Sequence, residues 1–243
     1  MSLSDTDHPS SFLPALTVST DHMLRTVSLL TAEQIREPSL LPGWTRAHVL
    51  VHLARGADSR LRLLTAARGG PDLPQYTDEA TRAHEIEQGA RRDAEAIRVD
   101  LGTSLDALLR GIEEHPDEAW DTPVRWLGGS LRPVRGVLWS LLRELEVHHV
   151  DLAATYTPAD WPTVFAIREL RETVRELSDG PAMPPMRISA DEDPSEHGIG
   201  AGPGPRVQGT AADLLAWLTG RSDGTALTID PPGALPRVPP WRQ

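Results

Sequence analysis

Apolar residues recur through the first two thirds of the chain at steps of three and four, the period of helices buried on one face. Leu16, Met23, Val27 and Leu30 mark a first helix over about Leu13 to Leu30, broken off by Pro38, Pro42 and Gly43. A second starts at Thr45, a good N-cap, and runs to about Ala67 with Leu50, Leu53, Ala57, Leu61 and Leu64 as its stripe. Gly69, Gly70, Pro71 and Pro74 then form a loop. Residues 78 to 115 are charge-rich and helical, bent or interrupted near Gly89, with Ile97, Leu101, Leu105, Leu108 and Ile112 as their core face. A further helix is expected from about Pro133, a residue suited to a first turn, to Thr155. Four such stripes predict a four-helix bundle.

The punctuation changes near residue 158, since 13 of the 22 prolines lie from Pro158 onward. One helix is expected near Thr163 to Leu177 and a compact one from Thr210 to Leu218, stopped by Gly220. Short β-like runs lie at Met186 to Ser189, Arg206 to Gln208 and Ala226 to Ile229. The expected fold class is therefore mainly α: a helical bundle over residues 1–157, then a small α+β domain over 158–243. No internal repeat or low-complexity segment interrupts either part.

Composition narrows the chemistry. The 243-residue chain has a net charge of −11, and all 24 of its basic residues are arginine. Such a balance, without a basic cluster, argues against nucleic acid and anionic membranes as partners. The absence of cysteine excludes a disulfide framework, thiolate zinc sites and any protein-borne thiol nucleophile. Thiol chemistry here requires a thiol from outside. The opening MSLSDTDHPS lacks the basic and apolar regions of a secretion signal, and no apolar run is long enough to span a membrane, so the expected location is the cytoplasm.

The informative segment is WSLLRELEVHHVDL, Trp139 to Leu152. Its stripe counts as Val134, Leu138, Leu141, Leu145, His148 and Leu152, so His148 stands where an apolar side chain belongs. Glu144 lies one turn earlier on the same face, and two groups at i and i+4 can hold one metal ion. The alternative is an ordinary polar pair, Glu144 bonding His148, Arg143 or Arg135 at the bundle edge. Glu146 and His149 face away, toward solvent or in a supporting position. In PGWTRAHVLVHLARG, His48 and His52 are four apart, His52 beside the Leu53 stripe, and Gly56 leaves room one turn on. His52, Glu144 and His148 together would make a 2-His-1-carboxylate set with an open coordination position, the mark of a catalytic metal. Zinc is favoured, and the set also suits ferrous iron. Trp44, Trp126, Trp139 and Trp217 are expected in the core or at a domain contact, and Tyr76 in a loop able to flank a site. HGIGAGPGP, His197 to Pro205, only superficially resembles a phosphate loop, because Pro203 replaces its last glycine.

These segments resemble the DinB-like metal-binding bundle and, more narrowly, the mycothiol-dependent maleylpyruvate isomerase family. The resemblance rests on LLPGWTRAHVLVHLAR, Pro74 to Tyr76, RELEVHHVDL followed by YTPADWP, LLAWLTGRSDG and the closing LPRVPPW, and so covers nearly the whole chain. It implies metal ligands at His52, Glu144 and His148, and a substrate-directed arginine at Arg221. It also implies mycothiol as the external thiol cofactor. In the implied reaction a metal-activated thiolate adds to the cis double bond of maleylpyruvate, the new single bond rotates, and elimination leaves fumarylpyruvate. The partners are then a small thiol and a small electrophile, and arginine suits that electrophile's carboxylates. Relatives often carry Asn where this chain has Gly56. An S-transferase that keeps the thiol adduct is the alternative outcome of the same apparatus. A metal-free binding module is a third reading, against which an intact triad speaks.

Overall fold

Pro14 in the first turn and the stripe Leu16, Met23 and Val27 build α1 (Leu13–Leu29). A capping box at Thr31 and Gln34, with amide-to-side-chain distances of 3.2 and 2.8 Å, starts the short α2 (Ala32–Arg36), which the periodicity did not predict. The Thr45 N–H donates to His48 Nδ1 (3.2 Å) at the head of α3 (Arg46–Ala67). The computed structural model describes residues 9–71, 74–76, 78–178 and 183–241. The reading of the opening residues rests mostly on Met1 to His8, which lie outside the described residues. The described residues form two compact units, one ending at Tyr156 and one beginning at Thr157.

In the first unit, the charge-rich segment makes two helices, α4 (Glu79–Ala90) and α5 (Ala94–Glu113), in place of one bent helix. Gly89 serves the packing of α4 on α3: a Cβ there would stand 2.6 Å from Val51 Cγ1, a side chain with little rotamer freedom. The chain turns at Arg91 to Asp93, with the Arg92 amide donating to Gly89 O (3.2 Å). All five residues of the predicted α5 face are buried, each stabilising the unit by about 1.5–3 kcal/mol relative to exposure. An antiparallel hairpin, β1 (Pro123–Arg125) with β2 (Leu131–Pro133), precedes α6 (Gly136–Asp151). Pro133 is therefore a strand residue and not the first turn of a helix. Gly128 and Gly129, at φ +83° and +84°, make the tight return that aligns the two strands. The four long helices pack as α3 on α5 and α6, and α1 on α5 and α6, giving the expected bundle. Arg46 ties it together, donating to Leu152 O (2.5 Å), Gln34 O (2.8 Å) and Ala153 O (3.0 Å).

The second unit opens with α7 (Thr163–Ser178) and continues through β3 (Met186–Ala190), β4 (Glu196–Ile199), β5 (Arg206–Gly209), α8 (Ala211–Leu218) and β6 (Thr228–Asp230). Its sheet runs β4-β3-β5-β6, with β3 and β5 parallel and the other pairs antiparallel. Met186, Ile188 and Val207 from the sheet meet Phe165, Leu170, Leu214 and Leu215 in a small core. β4 was not predicted: it begins the glycine-rich HGIGAGPGP run, whose first three residues pair with β3. Gly220, at φ +76°, ends α8 in a Schellman motif, its N–H donating to Trp217 O (3.1 Å) and that of Arg221 to Ala216 O (2.7 Å). No helix among the described residues is long and apolar enough to cross a membrane.

One buried carboxylate of this unit is strongly shifted. Burial alone would raise Asp193, but the Ser195 amide and the Arg171 guanidinium (2.7 and 2.8 Å) outweigh it and bring its pKa down to about 2. A depressed carboxylate stabilises the fold above its unfolded pKa and loses that contribution as pH falls from about 4 toward 2. Asp193→Asn is expected to cost about 2 kcal/mol near neutrality and to flatten this acid limb, read by denaturant melts of the two proteins from pH 7 to 2. An unchanged acid limb would show that Asp193 does not set it.

Candidate metal centre

His52 comes from the middle of α3, and Glu144 and His148 from adjacent turns of α6, the two helices packed side by side. His52 Nε2 lies 2.9 Å from Glu144 Oε2 and 3.1 Å from His148 Nε2, and the third edge, His148 Nε2 to Glu144 Oε2, is 3.3 Å. Three ligand atoms bound at about 2.0–2.1 Å in a tetrahedral zinc site stand about 3.3 Å apart. The triangle matches that spacing, and nitrogen and carboxylate oxygen are the donors such ions prefer. Among the described residues no other group of three His, Asp or Glu side chains converges in this way. The side chains of His52 and His148 are 8% and 4% exposed, against 26% for Glu144, so the carboxylate flank is the open side.

Neighbouring groups orient each candidate ligand. Asp151 Oδ2, fully buried, holds His148 Nδ1 at 2.9 Å and so orients the ring with Nε2 facing the triangle. Burial would lower the His148 pKa, but Asp151 and Glu144 raise it above the usual histidine value. His52 goes the other way: burial holds it below its ordinary value, against the pull of Glu144, and keeps the ring neutral near pH 7. Glu144 is held well below the carboxylate range; burial opposes this, and Arg60 with the two imidazoles prevails. Arg60 donates to Glu144 Oε1 (2.9 Å), Ser140 Oγ (2.6 Å) and Gly56 O (2.9 Å), leaving Oε2 turned toward the histidines. The Trp44 ring leans on His52 with centroids 5.6 Å apart.

Residues 16–153 match the family model of the mycothiol maleylpyruvate isomerase N-terminal domain, and residues 160–240 match that of the C-terminal domain of the same family. The chain belongs to the mycothiol maleylpyruvate isomerase family. Two crystal structures are similar to it over almost their full length. One, of the mycothiol-dependent maleylpyruvate isomerase, is 27% identical with a TM-score of 0.90, covering 96% of this chain and 97% of that one. The other, of an alanine mutant of that isomerase at a histidine, is 26% identical with the same TM-score and coverage. No curated protein matches the chain.

In this isomerase-family chain the remaining expectations divide. Arg221 lies in the second unit, just past the Schellman turn, with its guanidinium donating to Thr219 O (2.8 Å) and standing 5.0 Å from the Trp241 ring centre. The room beside Gly56 is filled by Arg60, since a Cβ there would meet Arg60 Nη1 at 3.0 Å. Of the alternative partners of Glu144, His148 stands within reach (3.3 Å) while Arg135 pairs with Asp121 (2.5 Å), and the arginine that donates to Glu144 is Arg60. His48 stays outside the triangle, bonded to Thr45 and to Glu87 (3.1 Å). Glu146 and His149 are buried, which excludes the solvated alternative. Both belong to a polar cluster under α1: Ser19 and Tyr156 hydroxyls donate to Glu146, and His149 stacks on Tyr156 at 3.8 Å and meets Thr26 Oγ1 at 2.7 Å. Of the four tryptophans singled out, only Trp217 is buried, and Trp44, Trp126 and Trp139 are partly exposed. Arg60, Asp151 and Arg82, the last 3.0 Å from His52 Nδ1, escaped the sequence reading. For Asp151 the clue was its place three residues after His148.

Proposed function

We propose that the chain is a mycothiol-dependent maleylpyruvate isomerase that holds zinc, or another divalent metal, at His52, Glu144 and His148. The observation that carries this reading is the ligand triangle of 2.9, 3.1 and 3.3 Å, found in a chain whose two parts both match the family. A metal ion in such a site lowers the pKa of a thiol sulfur, so that thiolate is present near neutral pH. The chain's own contribution is to fix the ligands: Asp151 sets the His148 ring and Arg60 sets the Glu144 carboxylate. Because the chain has no cysteine, the thiol is supplied by the cofactor.

Maleylpyruvate and fumarylpyruvate differ only in geometry about one carbon–carbon double bond, so the protein needs no oxidant or reductant. It has to hold the carboxylates while that bond becomes free to rotate. We assign metal binding to the first domain, residues 1–157, and contact with a substrate carboxylate to Arg221 of the second, residues 158–243. A cytoplasmic setting goes with this assignment, since small thiols are kept reduced there.

The test is thiol balance. Zinc-loaded protein given mycothiol and maleylpyruvate is expected to form fumarylpyruvate over many turnovers with the thiol concentration unchanged. One-for-one loss of thiol into a stable adduct would overturn the isomerase reading and favour an S-transferase. Arg221→Ala is expected to keep one metal per chain and to lose turnover by roughly 10²-fold, the usual scale for a lost positioning group. Unchanged kinetics would leave Arg221 as a helix-end residue stacked on Trp241.

A further inference from the structure

Arg82, on α4, stands apart from its neighbours. Arg46, Arg55 and Arg60 on α3, and Arg91 and Arg92 in the turn after α4, each pair with a carboxylate. Among the described residues Arg82 has no carboxylate or carbonyl partner. Its Nη2 points at His52 Nδ1 (3.0 Å), and its guanidinium lies 5.4 Å from the centre of the Tyr76 ring, which Arg62 also approaches at 6.0 Å. A half-buried cation with unused donors therefore sits one imidazole ring away from the triangle of ligand atoms.

The contact with His52 conflicts with metal binding. A guanidinium has only hydrogens to offer, so the nitrogen facing it must be the acceptor. The neutral ring then carries its hydrogen on Nε2, the atom aimed at Glu144 and His148. A metal bound at Nε2 reverses this: the hydrogen moves to Nδ1, where it meets the N–H of Arg82 head on. A neutral His52 can satisfy Arg82 or an ion, and not both. His148 shows no such conflict, because Asp151 accepts from its Nδ1.

We propose that metal loading releases Arg82 from His52, and that the freed guanidinium, still carried on Tyr76, binds a carboxylate of the small substrate beside the metal. The proposal rests on the metal-site reading above and adds a residue to it. Arginine is suited to the role, since its planar fork takes a carboxylate through two parallel hydrogen bonds and stacks on an aromatic face. It would place a carboxylate-binding residue in the first unit, on the helix that borders the site.

Two equilibrium titrations on the full chain test this, comparing wild type with Arg82→Met and Arg82→Gln. Zinc affinity is measured by competition with a chromophoric chelator, and maleate binding to the zinc-loaded protein by calorimetry. Both variants are expected to bind zinc about tenfold more tightly, because a charge-assisted hydrogen bond no longer has to be broken. Both are expected to bind maleate at least tenfold more weakly. A residue with a merely structural role would not move the two affinities in opposite directions. Zinc affinity unchanged or weakened overturns the competition, and unchanged maleate affinity overturns the carboxylate role. The glutamine variant keeps a polar side chain able to accept from Nδ1, and it decides the matter should the methionine variant fail to fold. Neither titration needs turnover. A chain that binds zinc and maleate as described without isomerising maleylpyruvate would sink the isomerase reading and leave this one standing.

Discussion

His52→Ala is expected to leave a folded protein that neither retains metal nor turns over substrate. His52 supplies one corner of the triangle, and it is the only one of the three candidate ligands carried by α3. Without it Glu144 and His148 remain, two donors on one helix, where a third is needed to close the set. The loss of affinity should exceed the 10–100-fold that removal of a mere supporting partner produces. Folding survives because α3 keeps Val49, Leu50, Leu53, Leu63 and Leu64 in the core. The cavity left by the imidazole costs about 1–3 kcal/mol, within the usual range for one substitution. Metal analysis of the two purified proteins, with circular dichroism as the control for folding, checks this. One tightly bound ion per chain in the variant would remove His52 from the site.

Asp151→Asn is expected to weaken metal binding by about 10–100-fold with the three ligands untouched. The carboxylate now accepts from His148 Nδ1 and leaves the Nε2 lone pair directed at its two partners. An amide in its place can turn its NH₂ toward Nδ1, which moves the ring hydrogen to Nε2 and blocks the ligand atom. The same logic governs the aspartate of a serine-protease triad, where the asparagine variant holds the wrong tautomer. Competition with a chelator measures the change, and activity should return when zinc is raised to saturation. Activity that stays lost in saturating zinc would show that Asp151 does more than orient His148.

Much of this candidate site is legible in the sequence because two of its residues violate a pattern. His148 occupies an apolar slot, Glu144 shares its face, and four stripes place both inside a bundle. What escaped has physical reasons. Arg60 is read from a sequence as a solvated charge, and only the fold shows that Gly56 opens the space its guanidinium fills. Glu146 and His149 were set outside because a stripe assumes one buried face. α6 is buried on several, packing on α1 as well as α3, so eleven of its sixteen residues are inaccessible. The β1–β2 hairpin was invisible because its strands are three residues long and five of the six positions are exposed, leaving no alternation to detect. In the second unit β4 was hidden by glycine and proline, while α8 and its Gly220 stop were plain from a cap, a stripe and a breaker.

The uneven burial of the bundle has a consequence for its opening motions. α6 and α3, which carry the three candidate ligands, have eleven of sixteen and fifteen of twenty-two residues buried, whereas α4 buries only Ile86, Gly89 and Ala90 of its twelve. Amide hydrogens on the first two helices should exchange with solvent only when the whole unit unfolds, on the slowest timescale the molecule has. Those of α4 should exchange through a local excursion that breaks few contacts. Arg82 thus sits on the least buried of the three helices, and its amides are expected to exchange while those of α3 and α6 stay protected.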